Sequence, residues 1–581
     1  MAPATAESRK VSLHETNIGR WLGWINERGQ ETVKDTRFFQ KGNQTYAGIN
    51  DRRHWQHTPP AVAEDVVVPP KHANGTTPVG WRAFRPPDSY LARPFPVEPT
   101  VAQRLPCVDQ WVAHGQACAW TSAEPLRLDA LWTWINGSEP ILAATRDQVV
   151  GAAMKKKKGR YQPVFLGSRT SHFRTHGEMI NSMRSVLKSM PSELVQKYIL
   201  LTADVAADDT EELRLGSVPT WLDLEAGVQV LHHSDVFRIP RSLLPTDGDI
   251  ERQGHEWRDD IVPSFNSLAI ESQLPNIPNL APTIFYLNDD CFLLRPLSVA
   301  DFETPLYGPV LRIQFDLGVK SRPPDSFGLF GDKEGEWPSL EFNQRFGKRS
   351  RRYLHHIAKV LSTPLMREAA AIWEDELART AEARFRGHGP QVNLVYLVTW
   401  YNIEKHRESL LYSFIMLRVD ADADGVISPA ERSTLVAGLE SGKVNVALRE
   451  GGSPHYVALN LQRAGIAEPK ETEYTWISSD GYPLIRTTRT KTSAHCAIDV
   501  KRCFAGSSSL GVFRRVAFEE PDCGDCLIAH LISKSGPVGL EAFLPHPQAP
   551  NATPPAALPA KRWQDAVFAP GLGREYAVDR M

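Results

Sequence analysis

Residues 283–290, Thr-Ile-Phe-Tyr-Leu-Asn-Asp-Asp, point to the architecture of this chain, because an apolar run leads directly into two carboxylates. Three similar short apolar runs occupy residues 128–136, 197–204 and 228–233, and each ends near polar residues. Largely apolar runs of this length are typical of strands that are buried on both faces, as in parallel sheets. The runs therefore predict neighbouring strands of one buried sheet.

Helical patterns at residues 177–190 and 264–276 lie between these runs. Alternating strands and helices predict right-handed βαβ crossovers, so the expected fold class is α/β, with a Rossmann-like, doubly wound, mostly parallel sheet. In such sheets ligands bind beyond the carboxyl ends of the strands. We expect Asn136, Asp204 and the Asp289–Asp290 pair to lie at that edge.

Composition excludes several classes of protein. The 581 residues are enough for about three to four domain-sized units. The 66 basic and 68 acidic side chains give a net charge of −2, which argues against a protein that coats nucleic acid. A hydrophobic content of 42% is too high for an intrinsically disordered chain. There is no run of about 18 apolar residues and no apolar leader core, so we predict neither a membrane span nor a signal peptide.

Changes in composition divide the chain into six segments. They are an irregular Pro-rich N-terminal region at 1–125, an α/β core at 126–300, an insertion at 301–350, a helical part at 351–412, a calcium-type loop region at 413–440, and a C-terminal part with a cysteine group and a Pro/Ala-rich tail at 441–581.

Six of the seven cysteines fall into two groups, which are Cys107 with Cys118, and Cys496, Cys503, Cys523 and Cys526. Cys523 and Cys526 have the spacing of half a zinc site, but the spacing from Cys496 to Cys503 does not match a zinc knuckle. Disulfides or free thiols are therefore favoured over zinc, and the choice stays open from the sequence.

Residues 420–431, DADADGVISPAE, match the twelve-residue EF-hand loop at every ligand position. The predicted Ca²⁺ ligands are the side chains of Asp420, Asp422, Asp424, Ser428 and Glu431 and the backbone carbonyl of Val426. The alternative is an acidic surface loop. Because no second EF-hand is visible, a structural calcium site is favoured over a switch.

Asn288, Asp289 and Asp290 follow an apolar run and form a second candidate site. Adjacent carboxylates at a strand end can hold Mg²⁺ or Mn²⁺ against a diphosphate, although such pairs also form turns and caps. Arginines near the 177–190 helix offer planar groups that suit phosphate, with a simple surface charge as the alternative. These arginines are Arg169, Arg174 and Arg184.

Several stretches resemble the four conserved blocks of the Stealth proteins. The first block is similar to residues 128–140, LDALWTWINGSEP. The start of the second block is similar to residues 172–191, HFRTHGEMINSMRSVLKSMP, and its end to residues 262–293, VPSFNSLAIESQLPNIPNLAPTIFYLNDDCFL. The third block resembles the segment from Tyr353-Leu-His355-His356 to Arg384-Phe-Arg386, and residues 523–547 keep the general shape of the fourth. An EF-hand after the third block also occurs in the eukaryotic branch of this family.

The resemblance implies a glycosyltransferase-A-like fold and a sugar-1-phosphate transferase. The 126–300 core would bind a UDP-sugar, and a glycan or glycoprotein hydroxyl, with mannose expected, would accept xylose 1-phosphate or a hexose or hexosamine 1-phosphate with release of UMP. The expected partners include no nucleic acid, and a homo-oligomer is left open. The expected location is the Golgi or another secretory-pathway lumen.

The same resemblance implies roles for individual residues. Catalytic roles fall to Glu271, Asp290, His356 and Arg386, and substrate-binding roles to Asp129, Asn136, Arg174, Arg184 and Asn288. Asp289 and Asp290 would hold Mg²⁺ or Mn²⁺, Arg386 would clamp phosphate, and His356 or Glu271 would accept the proton of the acceptor hydroxyl. The family pattern His-x-Pro-His is replaced here by Tyr353-Leu-His355-His356, so either histidine can be the working residue.

Two competing functions stay open at this point. A metal-dependent glycosyltransferase on the same sheet would release UDP instead of UMP. A non-catalytic calcium-binding adaptor could keep the fold without turnover. The nucleotide product distinguishes the first alternative, and substitution of Asp290 distinguishes the second.

Overall fold

A computed structural model describes most of the chain between residues 126 and 437 and several flanking stretches. The described residues are 39–41, 44–46, 78–93, 126–156, 173, 175–207, 213–304, 308–321, 336–349, 351–386, 391–437, 443–447, 479–480, 495–534 and 542–545. The chain divides into two units, Met1–Pro69 and Pro70–Met581. In the first, strands β1 (Phe39–Lys41) and β2 (Gln44–Tyr46) form an antiparallel hairpin.

The second unit contains the remaining described elements. Its strands are β3 Trp81–Phe84, β4 Leu128–Thr133, β5 Val195–Thr202, β6 Asp204–Ala206, β7 Arg214–Ser217, β8 Val228–His232, β9 Thr283–Asn288, β10 Glu303–Thr304, β11 Gly308–Pro309, β12 Leu311–Val319, β13 Arg351–Leu354, β14 Lys359–Ser362, β15 Lys443–Ala447, β16 Ser479–Asp480 and β17 His495–Asp499. Its α-helices are α1 Pro140–Lys156, α2 Glu178–Ser189, α3 His233–Val236, α4 Ile250–Ile261, α5 Ser267–Glu271, α6 Glu336–Phe346, α7 Thr363–Ile372, α8 Glu374–Ala381, α9 Leu394–Tyr412, α10 Pro429–Leu435, α11 Val500–Cys503, α12 Ser509–Arg514 and α13 Pro521–Lys534.

A five-stranded sheet with the order β14-β9-β4-β5-β8 forms the centre of this unit. β9, β4, β5 and β8 are parallel, and β14 pairs antiparallel with β9 at the sheet edge. The register places Thr133 of β4 opposite Asn288 of β9, and Thr202 of β5 opposite His232 of β8. The carboxyl ends of all four parallel strands therefore lie at one edge of the sheet.

Successive side chains of these strands pack into different cores, because they point to opposite faces of the sheet. Leu131, Ile199 and Tyr286 join the large core that also contains residues of α4, α7 and α9. Trp132 and Phe285 join the core that contains Met179, Met183 and Val186 of α2. Helices thus cover both faces, and the predicted α/β class with a mostly parallel sheet is confirmed.

Smaller sheets surround the central one. β3, β7 and β6 form an antiparallel sheet that directly follows the carboxyl end of β5. β12 pairs with β13 and β16, β15 pairs with β17, and β10 pairs with β11. All strands predicted from the four apolar runs are present, with bounds shifted by one to three residues.

Two segments differ from the predicted pattern. The helical pattern at 264–276 forms only α5, Ser267–Glu271, followed by a 3₁₀ turn at Leu274–Asn276. Within the segment 351–412, the helices α7, α8 and α9 lie in the part from residue 363 onward, while β13 and β14 lie before it. The short β14 brings the start of this segment into the central sheet.

A buried ion-pair network joins α9 to distant parts of the unit. Glu404 pairs with Arg349 at 3.1 Å and with Arg351 at 2.9 Å. Asp525 of α13 pairs with Arg349 at 2.6 Å and with Arg407 of α9 at 2.5 Å. Buried charges of this kind are stable only when each has its partner, so the network fixes the C-terminal helices against α9.

The cysteine group contains a disulfide between Cys503 and Cys523, and Cys526 is also disulfide-bonded. Cys503 and Cys523 are thus unavailable as zinc ligands. Cys291 is a free, buried thiol. Among the described helices, none combines the length and the hydropathy needed to cross a bilayer.

Candidate active site

The centre of the candidate site is a contact between Asp290 and His356. Asp290 follows the carboxyl end of β9, and His356 precedes β14, which runs back alongside β9. His356 Nε2 lies 3.2 Å from Asp290 Oδ2, and both side chains are more than half exposed. This hydrogen bond lowers the pKa of Asp290 and raises the pKa of His356. An accessible imidazole with a fixed orientation is suited to proton transfer.

Asp289 adds a second carboxylate beside this pair. Burial raises the pKa of Asp289 to about 6, and the negative charges of Asp290 and Glu178 act in the same direction. Carboxylates that repel one another in this way favour a bound cation. Asp289 and Asp290 therefore fit the chemistry of a Mg²⁺ or Mn²⁺ site.

Glu271 lies on the neighbouring helix α5 and is buried, with 5% of its surface exposed. Tyr286 of β9 donates its hydroxyl hydrogen bond to Glu271 Oε1 at 2.9 Å. The same hydroxyl lies 2.9 Å from Oγ1 of Thr133, at the end of β4. Glu271 is thus a buried carboxylate that a hydrogen bond from Tyr286 orients, and it is not a surface charge.

Arg386 reaches the same region from the segment after α8. Its Nη2 donates to Oγ of Ser267, the first residue of α5, at 2.5 Å. Asn266, the N-cap of α5, donates to the carbonyl of Ala383 at 2.7 Å. The positive charge of Arg386 also acts on His356 and partly offsets the rise in the pKa of His356 that the hydrogen bond to Asp290 causes. The structure therefore brings Arg386, Glu271 and the Asp290–His356 pair to one end of the sheet.

The turn after β4 borders this region. The buried Oδ1 of Asn136 has no hydrogen-bond partner among the described residues. A Cβ on Gly137 would lie 2.2 Å from Cβ of Phe173, so only glycine fits here without movement. Phe173 packs edge-to-face on Phe265 at 5.9 Å. Asn288 ends β9 opposite Thr133, the last residue of β4, and its carbonyl accepts a hydrogen bond from the amide of Cys291.

Three predicted substrate-binding residues are not brought to this cluster by the described contacts. Asp129 is fully buried near the amino end of β4, where its carboxylate accepts from the amide of Ala281 at 2.7 Å. Arg184 is exposed on α2. Arg174 lies outside the described residues. The roles of these residues stay predictions.

Residues that the sequence pattern did not single out complete the site. Tyr286 and Thr133 hold Glu271, and Ser267 holds Arg386. Lys359 begins β14 directly opposite Tyr286. In the sequence, Lys359 is a lysine next to apolar residues, three positions after His356. Hydrophobic periodicity alone does not identify such a lysine as part of a site.

A second candidate site lies in the loop after α9. Ligand atoms of Asp420, Asp422 and Glu431 lie within 4.8 Å of one another. Asp420 is 1% exposed, and its Oδ1 has no partner among the described residues. Gly425 has a φ of +81°, which permits the turn of the loop. Three convergent carboxylates with one buried, unsatisfied oxygen fit a Ca²⁺ ion.

The loop pairs with a distant helix-loop-helix segment formed by α11 and α12. Val426 and Ser508 form an antiparallel bridge, and the amide of Ser509 donates to the carbonyl of Gly425 at 3.1 Å. Arg432 of α10 donates to the carbonyl of Phe504 at 2.9 Å. The segment from 500 to 514 therefore packs directly against the 420–431 loop and α10.

Comparison with known proteins adds independent findings. The family model described as Stealth protein CR3, conserved region 3, matches residues 355–404. A 3-O-α-D-mannopyranosyl-α-D-mannopyranose xylosylphosphotransferase of Cryptococcus neoformans var. grubii is 28% identical over 84% of this chain and 71% of that protein. The protein of the same name from Cryptococcus neoformans var. neoformans serotype D (strain B-3501A) is 29% identical over 85% of this chain and 70% of that protein. An exopolysaccharide phosphotransferase of Mycobacterium tuberculosis (strain ATCC 25618 / H37Rv) is 28% identical over 45% of this chain and 41% of that protein. The matched conserved region contains His355, His356, Lys359 and Arg386.

Proposed function

We propose a donor and an acceptor for this chain, a sugar phosphotransferase of the Stealth family. The donor is a UDP-sugar, and the acceptor is a mannose hydroxyl of a glycan. The transferred group is xylose 1-phosphate, with a hexose or hexosamine 1-phosphate as the second choice, and the released nucleotide is UMP. The activity after which the two fungal relatives are named supports xylose as the sugar and a mannosyl-mannose acceptor.

The observation that carries this proposal is the contact of Asp290 with His356 at the edge where Asp289 also lies. Phosphoryl transfer depends on positioning and charge neutralisation more than on covalent catalysis. The acceptor oxygen attacks the β-phosphorus, the bond to the α,β-bridging oxygen breaks, and UMP leaves. The hydroxyl proton passes to His356, because His356 is exposed whereas Glu271 is buried behind Tyr286.

Two groups neutralise charge in this scheme. Arg386 contributes a planar cation that suits phosphate oxygens. Asp289 and Asp290 would hold Mg²⁺ or Mn²⁺, which supplies Lewis-acid stabilisation of the diphosphate when bound. We also propose that the donor and the metal ion bind to this sheet in the arrangement of a glycosyltransferase-A-like fold.

The decisive experiment is a panel of UDP-sugars incubated with Mn²⁺, with and without a mannoside acceptor. Acceptor-dependent release of UMP is expected, with UDP-xylose the most active donor. Release of UDP would instead identify a glycosyltransferase and overturn the proposal.

Substitution of Asp290 tests whether the site performs the reaction. Asp290→Asn should abolish acceptor-dependent UMP release, because it removes both the metal ligand and the partner of His356. Asp147→Asn, an exposed acid paired with Arg146 on α1, is the control and should keep activity within twofold of wild type. Equal activity of the two variants would contradict the assigned site.

We further propose that the 420–431 loop binds Ca²⁺ as a structural ion. The convergence of Asp420, Asp422 and Glu431 and the pairing of the loop with Ser508 support this proposal. The disulfide between Cys503 and Cys523 supports folding in an oxidising compartment, for which we propose the Golgi or another secretory-pathway lumen.

A further inference from the structure

Lys359 has a position that the reaction scheme does not yet use. In the antiparallel pair of β14 and β9, Lys359 lies directly opposite Tyr286. Residues that face one another across such a pair share one face of the sheet. Ala358 and Val360 pack into the core on the other face. The side chain of Lys359 therefore lies on the face where Tyr286 holds Glu271.

The ammonium of Lys359 lacks an anionic partner in the described part of the chain. Its Nζ donates to the carbonyl of Ile357, and no carboxylate oxygen of the described residues lies within 4.0 Å. Burial lowers the pKa of Lys359, while attraction to Glu271 and Asp290 opposes that effect. Lys359 is half-buried, and a charge that is partly removed from water is stabilised by an anionic partner, so its ammonium is suited to bind an anionic ligand.

A buried lysine elsewhere in the same unit shows the contrast. Lys405 of α9 donates to both carboxylate oxygens of Glu368, at 2.9 and 2.8 Å. That ion pair satisfies Lys405 within the protein. Lys359 has neighbouring carboxylates that act on it from beyond contact distance, as expected where a ligand separates them.

We propose that Lys359 is a catalytic residue that donates a hydrogen bond to a non-bridging oxygen of the β-phosphate of the donor, the phosphate that is transferred. The inference rests on the proposed function, since that function supplies the β-phosphate. Lys359 gives and takes no proton in the reaction; its charge offsets the negative charge on the phosphate oxygens while the bond to the α,β-bridging oxygen breaks and the acceptor oxygen bonds to phosphorus.

The test compares Lys359→Gln and Lys359→Arg with the control Lys188→Gln, which changes an exposed lysine in the last turn of α2. In full-length protein with Mn²⁺, Lys359→Gln should lower kcat/KM for the active UDP-sugar by about 10² to 10³. Lys359→Arg should restore part of the loss, and Lys188→Gln should match wild type. Thermal unfolding of each variant identifies any loss of folded protein.

A binding measurement separates contact with the β-phosphate from a structural role. Measured by calorimetry, Lys359→Gln should lower the affinity for UDP at least tenfold. The affinity for UMP should stay unchanged, because UMP lacks the β-phosphate. Equal weakening of both nucleotides, or unchanged UDP binding, would overturn the inference.

The two proposals fail in distinguishable ways. If wild type releases UMP and Lys359→Gln retains kcat and KM within twofold, only the role of Lys359 is wrong. If wild type releases UDP or no nucleotide, the proposed function is wrong, and the UDP and UMP titrations still decide whether Lys359 contacts a β-phosphate.

Discussion

At the scale of single residues, the main question is which of two adjacent histidines works in the site. The sequence left His355 and His356 open, and the structure places His356 against Asp290. Both histidines lie in the bend between β13 and β14, and the contact with Asp290 is made by Nε2 of His356. Sequence alone could not choose, because the choice depends on how the segment enters the sheet.

The histidine pair gives the first prediction at this scale. His356→Gln should lower acceptor-dependent UMP release by about 10² to 10⁴, the usual contribution of a general base. His355→Gln is the matched control and should stay within a few-fold of wild type. Initial rates of UMP release check both variants, and the reverse order of activities would assign the role to His355.

Two buried histidines give a prediction for stability against pH. Burial lowers the pKa of His232 and of His233 to about 4, against an ordinary value of 6.5. Below pH 6.5 the unfolded chain binds protons that the folded protein excludes, so stability falls as the pH falls toward 4. The expected loss at pH 5 is about 2 kcal/mol for each histidine.

Thermal unfolding between pH 7.5 and 5 measures this effect. The double variant His232→Gln/His233→Gln should show a flatter dependence of Tm on pH than wild type, whatever its absolute stability. Parallel curves for the two proteins would show that other groups cause the acid sensitivity.

At the scale of elements, the strands were predictable, whereas the length of the helix carrying Glu271 was not. The apolar runs identified β4, β5, β8 and β9, because strands buried on both faces leave a clear mark in the sequence. The apolar pattern at 264–276 suggested a long helix, but α5 ends at Glu271. Pro275 explains the difference, since its ring would clash with the carbonyl of Glu271 in a continued helix.

The turn after β4 provides a prediction for an element. Gly137→Ala should destabilise the protein and lower activity, because the added Cβ overlaps Phe173 and must displace the turn that holds Asn136. Gly151→Ala in α1 is the matched control: its Cβ meets nothing within 4 Å, and alanine favours a helix by up to about 1 kcal/mol. Chemical denaturation should show a lower free energy of unfolding for Gly137→Ala and an equal or higher one for Gly151→Ala. UMP release should fall for Gly137→Ala and stay level for Gly151→Ala.

At the scale of the whole described unit, distant segments are joined by contacts that sequence patterns do not reveal. α9 is buried along all its 19 residues and pairs through Arg407 with Asp525, 118 residues further along the chain. Charged residues in a sequence usually indicate a surface, so neither the burial nor the pairing could be predicted. The disulfide bond of Cys503 with Cys523 was likewise left open by the cysteine spacing.

The calcium proposal is tested at this scale, because the loop connects α9 to the segment of α11 and α12. Added Ca²⁺ should raise the Tm of wild-type protein and a chelator should lower it. Glu431→Gln should lose most of this response, since it removes a carboxylate from the group with Asp420 and Asp422. Glu251→Gln, an exposed acid in the first turn of α4, should keep the full response. A wild-type Tm indifferent to Ca²⁺ would contradict the proposal.

The antiparallel pairing of β14 has a consequence for how protein preparations are judged. Four backbone pairs, from Lys359 opposite Tyr286 to Ser362 opposite Thr283, set the register of this edge strand. A slip of two residues would keep every side chain on its own face yet move His356 about 7 Å along the strand, away from Asp290. Compact, soluble molecules with a misaligned edge would then be inactive. Specific activity, rather than solubility or helix content, is the proper measure of correctly assembled material.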